Sequence, residues 1–134
     1  IHLGSDDLQT NKRPYLPVIK RFVELSLQKL PQLQVLLFFG PQEQDLLQSF
    51  TYTHPRLFIA SKIDINTVGA LIKHCRFFIA GDSGLGHIAA AIAVPTLTLT
   101  GPTLIAQTRP FSPKNEFLLG KESLACRPCY GPPA

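Results

Sequence analysis

Short apolar or β-branched runs, each stopped by a glycine or a polar turn, constrain this chain more than any other feature. Val35–Phe39 is continuously apolar and is halted by Gly40-Pro41. Residues 77–80 form a second such run, broken by Gly81, and Thr96–Thr100 is a β-branched run ending at Gly101-Pro102. Residues 57–60 and Asn115–Leu119 are further strand candidates, and Ile1, His2 and Leu3 resemble the tail of a strand entering a polar loop over residues 4–13. Short continuous apolar runs suit strands covered on both faces, as in a parallel sheet.

The segments between the runs read as helices. One starts near Pro17, since proline is tolerated in a first turn. Its apolar positions Val18, Phe22, Leu25 and Leu30 follow a helical spacing, with Lys20, Arg21, Glu24 and Gln28 between them. Residues 42–50 suit a short helix. Asp64 or Asn66 can cap another that runs to about His74, with Val68, Leu71 and Ile72 inward. A small-residue helix over residues 85–93 carries Ala89, Ala90, Ala91 and Ala93, which allow close packing on a sheet. Strand and helix alternating through short links require crossovers. The predicted fold is therefore α/β, a Rossmann-like parallel sheet of five or six strands with helices on both faces.

The 134 residues suit one domain with a single core, residues 1–134. Apolar residues make up 45% and charged residues 16%, a globular composition. The chain lacks Met and ends in Gly131-Pro132-Pro133-Ala134, so both ends read as cut points and a fragment is expected. No stretch approaches the roughly 20 apolar residues of a membrane span, and no signal segment opens the chain; a cytoplasmic location is expected. The net charge of +4 is spread along the sequence; it suits an anionic ligand or is ordinary surface charge. The clustered basic patch with interleaved aromatics expected of a nucleic-acid binder is missing. Cys75, Cys126 and Cys129 give an odd count and no disulfide framework, which points to reduced thiols.

Parallel α/β sheets bind ligands at the carboxyl ends of their strands. Four strand-end loops fall there: Gly4-Ser5, Gly40-Pro41-Gln42-Glu43, residues 81–84 and Gly101-Pro102-Thr103. In Gly81-Asp82-Ser83-Gly84-Leu85-Gly86-His87, glycine lets the backbone approach a ligand closely. The helix that follows presents unpaired N–H groups and the positive end of its dipole, which suits a phosphate. Ser83 adds a hydroxyl, and His87 in the first turn can donate to a phosphate oxygen or be an ordinary surface histidine. Asp82 beside a phosphate needs a separate reason, either capping and loop bracing or direct ligand contact. A hydrolase nucleophile elbow needs glycine two residues before and two after the serine, and position 85 is Leu, so that motif fails. A dinucleotide fingerprint is also missing from the first helix.

The segment Phe77-Phe78-Ile79-Ala80-Gly81-Asp82-Ser83-Gly84-Leu85-Gly86-His87-Ile88-Ala89-Ala90-Ala91, followed by Pro95 and Gly101-Pro102-Thr103, is similar to glycosyltransferase family 9. These are the bacterial heptosyltransferases and their relatives that build lipopolysaccharide cores. The resemblance covers nearly the whole chain and implies the C-terminal, donor-binding half of a two-domain GT-B enzyme. It places Gly4, Ser5, Lys12, Asp82, Ser83, Gly84 and His87 at the diphosphate and sugar of the donor. Glu43 falls at the ribose, and Ile63 against the adenine. The family carries Lys-x-Trp-Pro where this chain has Lys12-Arg13-Pro14-Tyr15-Leu16-Pro17, which leaves Lys12 and Arg13 as rivals. Cys126-Arg127-Pro128-Cys129 resembles the family's Cys-x-Pro-Cys, read as a structural turn or a redox pair.

The resemblance further implies a nucleotide-sugar donor, ADP-heptose, with no metal and no separate cofactor. It implies a glycan acceptor reached through an N-terminal domain, and peripheral membrane association of the whole enzyme. The family's catalytic base is a carboxylate of that other domain, without a counterpart here, so no catalytic residue is assigned. The chain alone is expected to bind nucleotide weakly and transfer no sugar. The rival expectation is a non-catalytic nucleotide-binding or interaction module that retains the fold.

Overall fold

The computed structural model describes residues 1–5, 12–120 and 127–129. Most of the loop over residues 4–13, Cys126 of the Cys126-Arg127-Pro128-Cys129 motif and the chain end beyond Cys129 lie outside the described residues. Five helices and five strands alternate: α1 (Leu16–Lys29), β1 (Val35–Phe39), α2 (Gln44–Ser49), β2 (Leu57–Ser61), α3 (Ile65–Lys73), β3 (Phe78–Gly81), α4 (Gly84–Ala91), β4 (Thr96–Thr100), α5 (Ile105–Thr108) and β5 (Asn115–Leu119). A 3-10 turn, Pro41–Glu43, leads into α2.

All strand pairs are parallel, β1 with β2 in one sheet and β3-β4-β5 in another. The opening residues join the two. His2 bridges in parallel to Phe38 on one side and to Ala80 on the other. The His2 N–H donates to the Ile79 carbonyl at 2.8 Å, and the Phe38 N–H donates to that of Ile1 at 2.9 Å. The lateral order is thus β2, β1, residues 1–3, β3, β4, β5. The chain builds outward in one direction as far as β2, then crosses back to start β3 on the other side of residues 1–3.

Alternate residues of each strand face opposite ways, and β1 shows the consequence. Val35, Leu37 and Phe39 pack with Leu3 against Ile19, Val23 and Leu27 of α1, with Phe50 closing the cluster. Phe38 points to the other face, among Ala60, Val68 and Ile72 of α3, Phe78, Ala80 and Ala89 of α4. Phe38 and Phe78 meet edge to face, with ring centroids 5.8 Å apart. Helices therefore cover both faces, as the alternating sequence predicts.

Several details differ from the sequence reading. In α1 the buried stripe is Ile19, Val23 and Leu27, while Val18, Phe22 and Leu30 are 61%, 45% and 54% exposed. The helix carries two apolar stripes of similar spacing, and the sheet takes the one that includes Ile19. Phe77 lies just before β3 and is exposed, whereas Gly81 is the strand's last residue, paired with Leu99. α4 begins at Gly84 and stops at Ala91, because Ala93 turns left-handed with φ 61°. The one-turn α5 follows a loop that gives no periodic signal. Asp64, not Asn66, caps α3, accepting from the N–H groups of Asn66 and Thr67.

Arg56 ties the start of β2 to the end of α1. Its guanidinium donates to the carbonyls of Leu30 and Leu33, each at 2.8 Å, and to that of Leu27. The last carbonyls of a helix have no partner of their own and carry partial negative charge. Arg56→Ala is expected to lower the unfolding free energy by about 1–3 kcal/mol. Denaturant titration of both proteins checks this, and Arg56→Lys should recover little, since an ammonium cannot span three carbonyls.

Candidate functional site

The chain reverses its direction of growth between residues 1–3 and β3, and a crevice opens there at the carboxyl ends of the strands. A cavity of about 680 Å³ occupies it, within the size range of small-molecule sites. It runs across several strand ends. His2 and Ser5 come from the first segment, Gly40 to Glu43 from the turn after β1, Lys62 and Ile63 from the loop after β2, Ile65 from the start of α3, Asp82 and Ser83 from the loop after β3, and Gly84 from the start of α4. Lys12, Phe38, Val68 and Leu85 add to the wall.

A carboxylate, a histidine and a hydroxyl form the floor. His2 is buried, with Nδ1 3.1 Å from Ser83 Oγ and Nε2 3.6 Å from Glu43 Oε2. Glu43 is 5% exposed, and the Gly40 N–H donates to its Oε2. Gly4 is required beside it, since a Cβ at that position would collide with the Glu43 carboxylate. Burial alone would raise the Glu43 carboxyl above its usual range. The His2 ring, the Gly40 amide and the positive charge of Arg13 outweigh burial and hold it below.

Asp82 shows why an acid stands in a phosphate-friendly loop. Its Oδ2 lies 3.3 Å from Lys12 Nζ and accepts from Thr103 Oγ1 at 2.8 Å. Thr103 is fully buried, and its carbonyl accepts from Arg127 Nε and Nη2 at 3.2 and 3.0 Å. The N-cap of α4 is Ser83, which makes no side-chain cap bond. Asp82 thus braces Lys12 and the loop after β4. The rival basic residue turns elsewhere: Arg13 Nη1 lies 3.1 Å from Asp45 Oδ2, and Nη2 donates to the Gln42 carbonyl at 2.9 Å.

Of the residues singled out from the sequence, Ser5, Lys12, Glu43, Ile63, Asp82, Ser83 and Gly84 line the cavity, and Gly4 supports it from behind Glu43. His87, in the first turn of α4, is exposed and is not part of the lining. Two residues that the sequence reading had only as members of loops gain particular roles, and a third is new. His2 joins Glu43 to Ser83, Thr103 orients Asp82, and Lys62 lines the rim with a left-handed backbone, φ 56°. A histidine two residues before Gly4 was the hint for the first, the strand-end loop Gly101-Pro102-Thr103 held the second, and Lys62 gave none. Cys75 is half-buried, its Sγ donating to the Leu71 carbonyl at 3.4 Å, and burial raises its thiol pKa. Among the described residues no cluster of three His, Cys, Asp or Glu could hold a metal, and no helix is long and apolar enough to cross a membrane.

A parallel α/β domain with a cavity at the strand-order reversal, walled by a helix start and a carboxylate-braced lysine, is of the Rossmann-like class. Residues 18–131 match the glycosyltransferase family 9 (heptosyltransferase) family, and the chain belongs to it. Lipooligosaccharide heptosyltransferase 2 of Campylobacter jejuni is 38% identical over 71 residues, 53% of this chain and 22% of that protein. Lipopolysaccharide heptosyltransferase 3 of Escherichia coli is 37% identical over 84 residues, 59% of this chain and 25% of that protein. The chain therefore spans about a quarter of the curated relatives it matches. The E. coli heptosyltransferase WaaC solved with ADP superposes with a TM-score of 0.78 at 18% identity, over 88% of this chain and 36% of that one. That likeness supports the GT-B-type fold.

The depressed Glu43 carboxyl sets a direction for pH. A carboxyl held below its unfolded value adds stability above that value, and the gain is lost as pH falls through the folded one. Glu43→Gln is expected to cost about 1–3 kcal/mol at neutral pH, and the gap to the parent should close as pH falls below about 4. Unfolding curves at a series of pH values measure this; a gap that persists in acid would show that charge on Glu43 is not what stabilises the fold.

Proposed function

We propose that the cavity holds the nucleotide-sugar donor, ADP-heptose, of an inverting glycosyltransferase that transfers a sugar to a lipopolysaccharide core or a related glycan. One observation carries this reading: the strand order spreads a single cavity from an apolar end to a polar one. Ile63, Ile65 and Val68 come from the β2 side, where a base would pack. Ser5, Lys12 and the start of α4 lie at the reversal point, where a diphosphate would meet an ammonium, a hydroxyl and unpaired helix N–H groups. Glu43 lies between them, where its carboxylate would accept from ribose hydroxyls. The relative solved with ADP adds support for the adenine nucleotide.

In this reading the chain's part in catalysis is electrostatic. Lys12 and the Ser83-Gly84 helix end would stabilise the departing diphosphate. His87 sits one turn along the same helix and would reach the donor as it projects beyond the diphosphate. The acceptor and its base would be supplied by the rest of a longer enzyme, and no metal would be needed.

Gly84 gives a test that separates binding from folding. A Cβ there meets no protein atom within 4 Å, so Gly84→Ala costs nothing sterically and favours the helix. It would, however, fill space next to the diphosphate. Calorimetric titration with ADP is expected to show at least a tenfold loss for Gly84→Ala and for Lys12→Ala, about 1.4 kcal/mol or more, with the Gly84→Ala melting temperature unchanged or raised. Absence of ADP binding by the parent at millimolar concentration would favour a non-catalytic module that keeps only the fold. Sugar transfer by the 134 residues alone would refute their division of labour with another domain.

A further inference from the structure

We propose that His2 is the positioning residue for the anion: it takes up a proton from solvent when the diphosphate binds, and so releases the Ser83 hydroxyl hydrogen to the phosphate. The proposal rests on the donor site described above, and it follows from counting hydrogens on three side chains.

His2 lies between an acceptor and a hydroxyl. Its Nε2 faces Glu43 Oε2 at 3.6 Å, and its Nδ1 is 3.1 Å from Ser83 Oγ. Glu43 stays ionised at neutral pH, so Nε2 must carry a hydrogen; a bare nitrogen there would face a bare carboxylate oxygen. A neutral His2 then has a bare Nδ1, which can only accept. A serine hydroxyl has one hydrogen, and in this state it is committed to Nδ1. Ser83 therefore turns lone pairs toward the cavity, the wrong polarity for a phosphate.

Protonation reverses this. With hydrogens on both nitrogens, His2 donates to Glu43 and to Ser83 Oγ, and the Ser83 hydrogen is free to point at a phosphate oxygen. The new charge is buried, but the Glu43 carboxylate pairs with it, and the arriving anion adds further attraction. The Ile1 amine beside His2 donates to the Leu36 carbonyl at 2.7 Å, and burial lowers its pKa to about 5, the acid end of the range tested below. Phe38 and Ala80, which flank His2 across the sheet, are apolar. Lys12 is engaged with Asp82, and Arg13 acts on Glu43 from the side of the 3-10 turn.

ADP-glucose suits the test, because its pyrophosphate diester does not ionise between about pH 5 and 8, the range in which histidines titrate. Calorimetry in two buffers of different ionisation heat reads proton uptake directly. The parent chain is expected to take up a proton on binding, and its affinity to fall by up to about tenfold per pH unit toward the alkaline end. His2→Gln should bind with no uptake and a flat pH profile. His87→Gln, whatever affinity it loses as a donor contact, should still take up a proton, since it leaves His2 and Ser83 in place. Binding without uptake by the parent overturns the proposal, as does uptake that survives His2→Gln and disappears in His87→Gln. If His2→Gln does not fold, the uptake by the parent and its retention in His87→Gln decide the matter. Failure of the parent to bind at any pH would instead remove the donor-site reading on which the proposal stands.

Discussion

Residues 1–3 hold the fold and the site together. They are the segment that hydrogen-bonds to both β1 and β3, through the Ile1 carbonyl on one side and the His2 N–H on the other. Two half-sheets, one of two strands and one of three, become a continuous layer through them. The strand order reverses beside this segment, so its carboxyl end marks where a crevice must form. Two glycines keep the crevice floor thin. Gly4 leaves room for the Glu43 carboxylate, and the α-carbon of Gly81 lies close beneath the backbone of Lys12, whose carbonyl would stand 3.4 Å from a Cβ there. A side chain at Gly4 would displace Glu43 and with it the partner of His2. The central strand thus fixes the positions of the floor residues as well as the sheet order.

What was legible in the sequence was what depends on neighbours in sequence. β4 and β5 coincide with their β-branched and apolar runs, and the Asp64 cap of α3 is a local hydrogen-bond pattern. Helices on both faces follow from continuous apolar strands, because a strand apolar on both sides needs two covers. The face of α1 was not legible: its stripes through Val18 and Phe22 and through Ile19 and Val23 have the same period, and only the sheet decides between them. α5 is a single turn, too short to show a period at all.

The site divides in the same way. Ser83 and Gly84 could be singled out because strand ends are marked by glycine and polar residues, whereas Lys12 came from the family resemblance alone. The couplings could not, since they join residues far apart in the chain. His2 and Ser83 are separated by 81 positions, and Thr103 and Asp82 by 21. Family resemblance supplied a list of positions, and the geometry supplied the relations between them. It also separated Lys12 from Arg13, which the departure from the family motif had left as rivals: Lys12 and its partner Asp82 line the cavity, while Arg13 is held by Asp45 in α2.

Those pairings bear on how an anion site can exist where most cations are already matched. Lys12 has Asp82 and Arg13 has Asp45. An unpaired ammonium would be strongly hydrated and mobile on its four-carbon stem. Asp82 holds it in one place, and Thr103, locked by Arg127, holds Asp82. An ammonium has three hydrogens, so Lys12 can keep Asp82 and still donate to an incoming oxygen. The carboxylate reduces the local positive charge, yet it removes the freedom that a ligand would otherwise have to freeze out. The arrangement therefore favours direction over net charge: a few donors, each aimed by a buried acid, at the end of a helix whose first N–H groups have no other partner. An acid among the proposed phosphate-binding residues is then a consequence of aiming a lysine, and it need not touch the ligand at all.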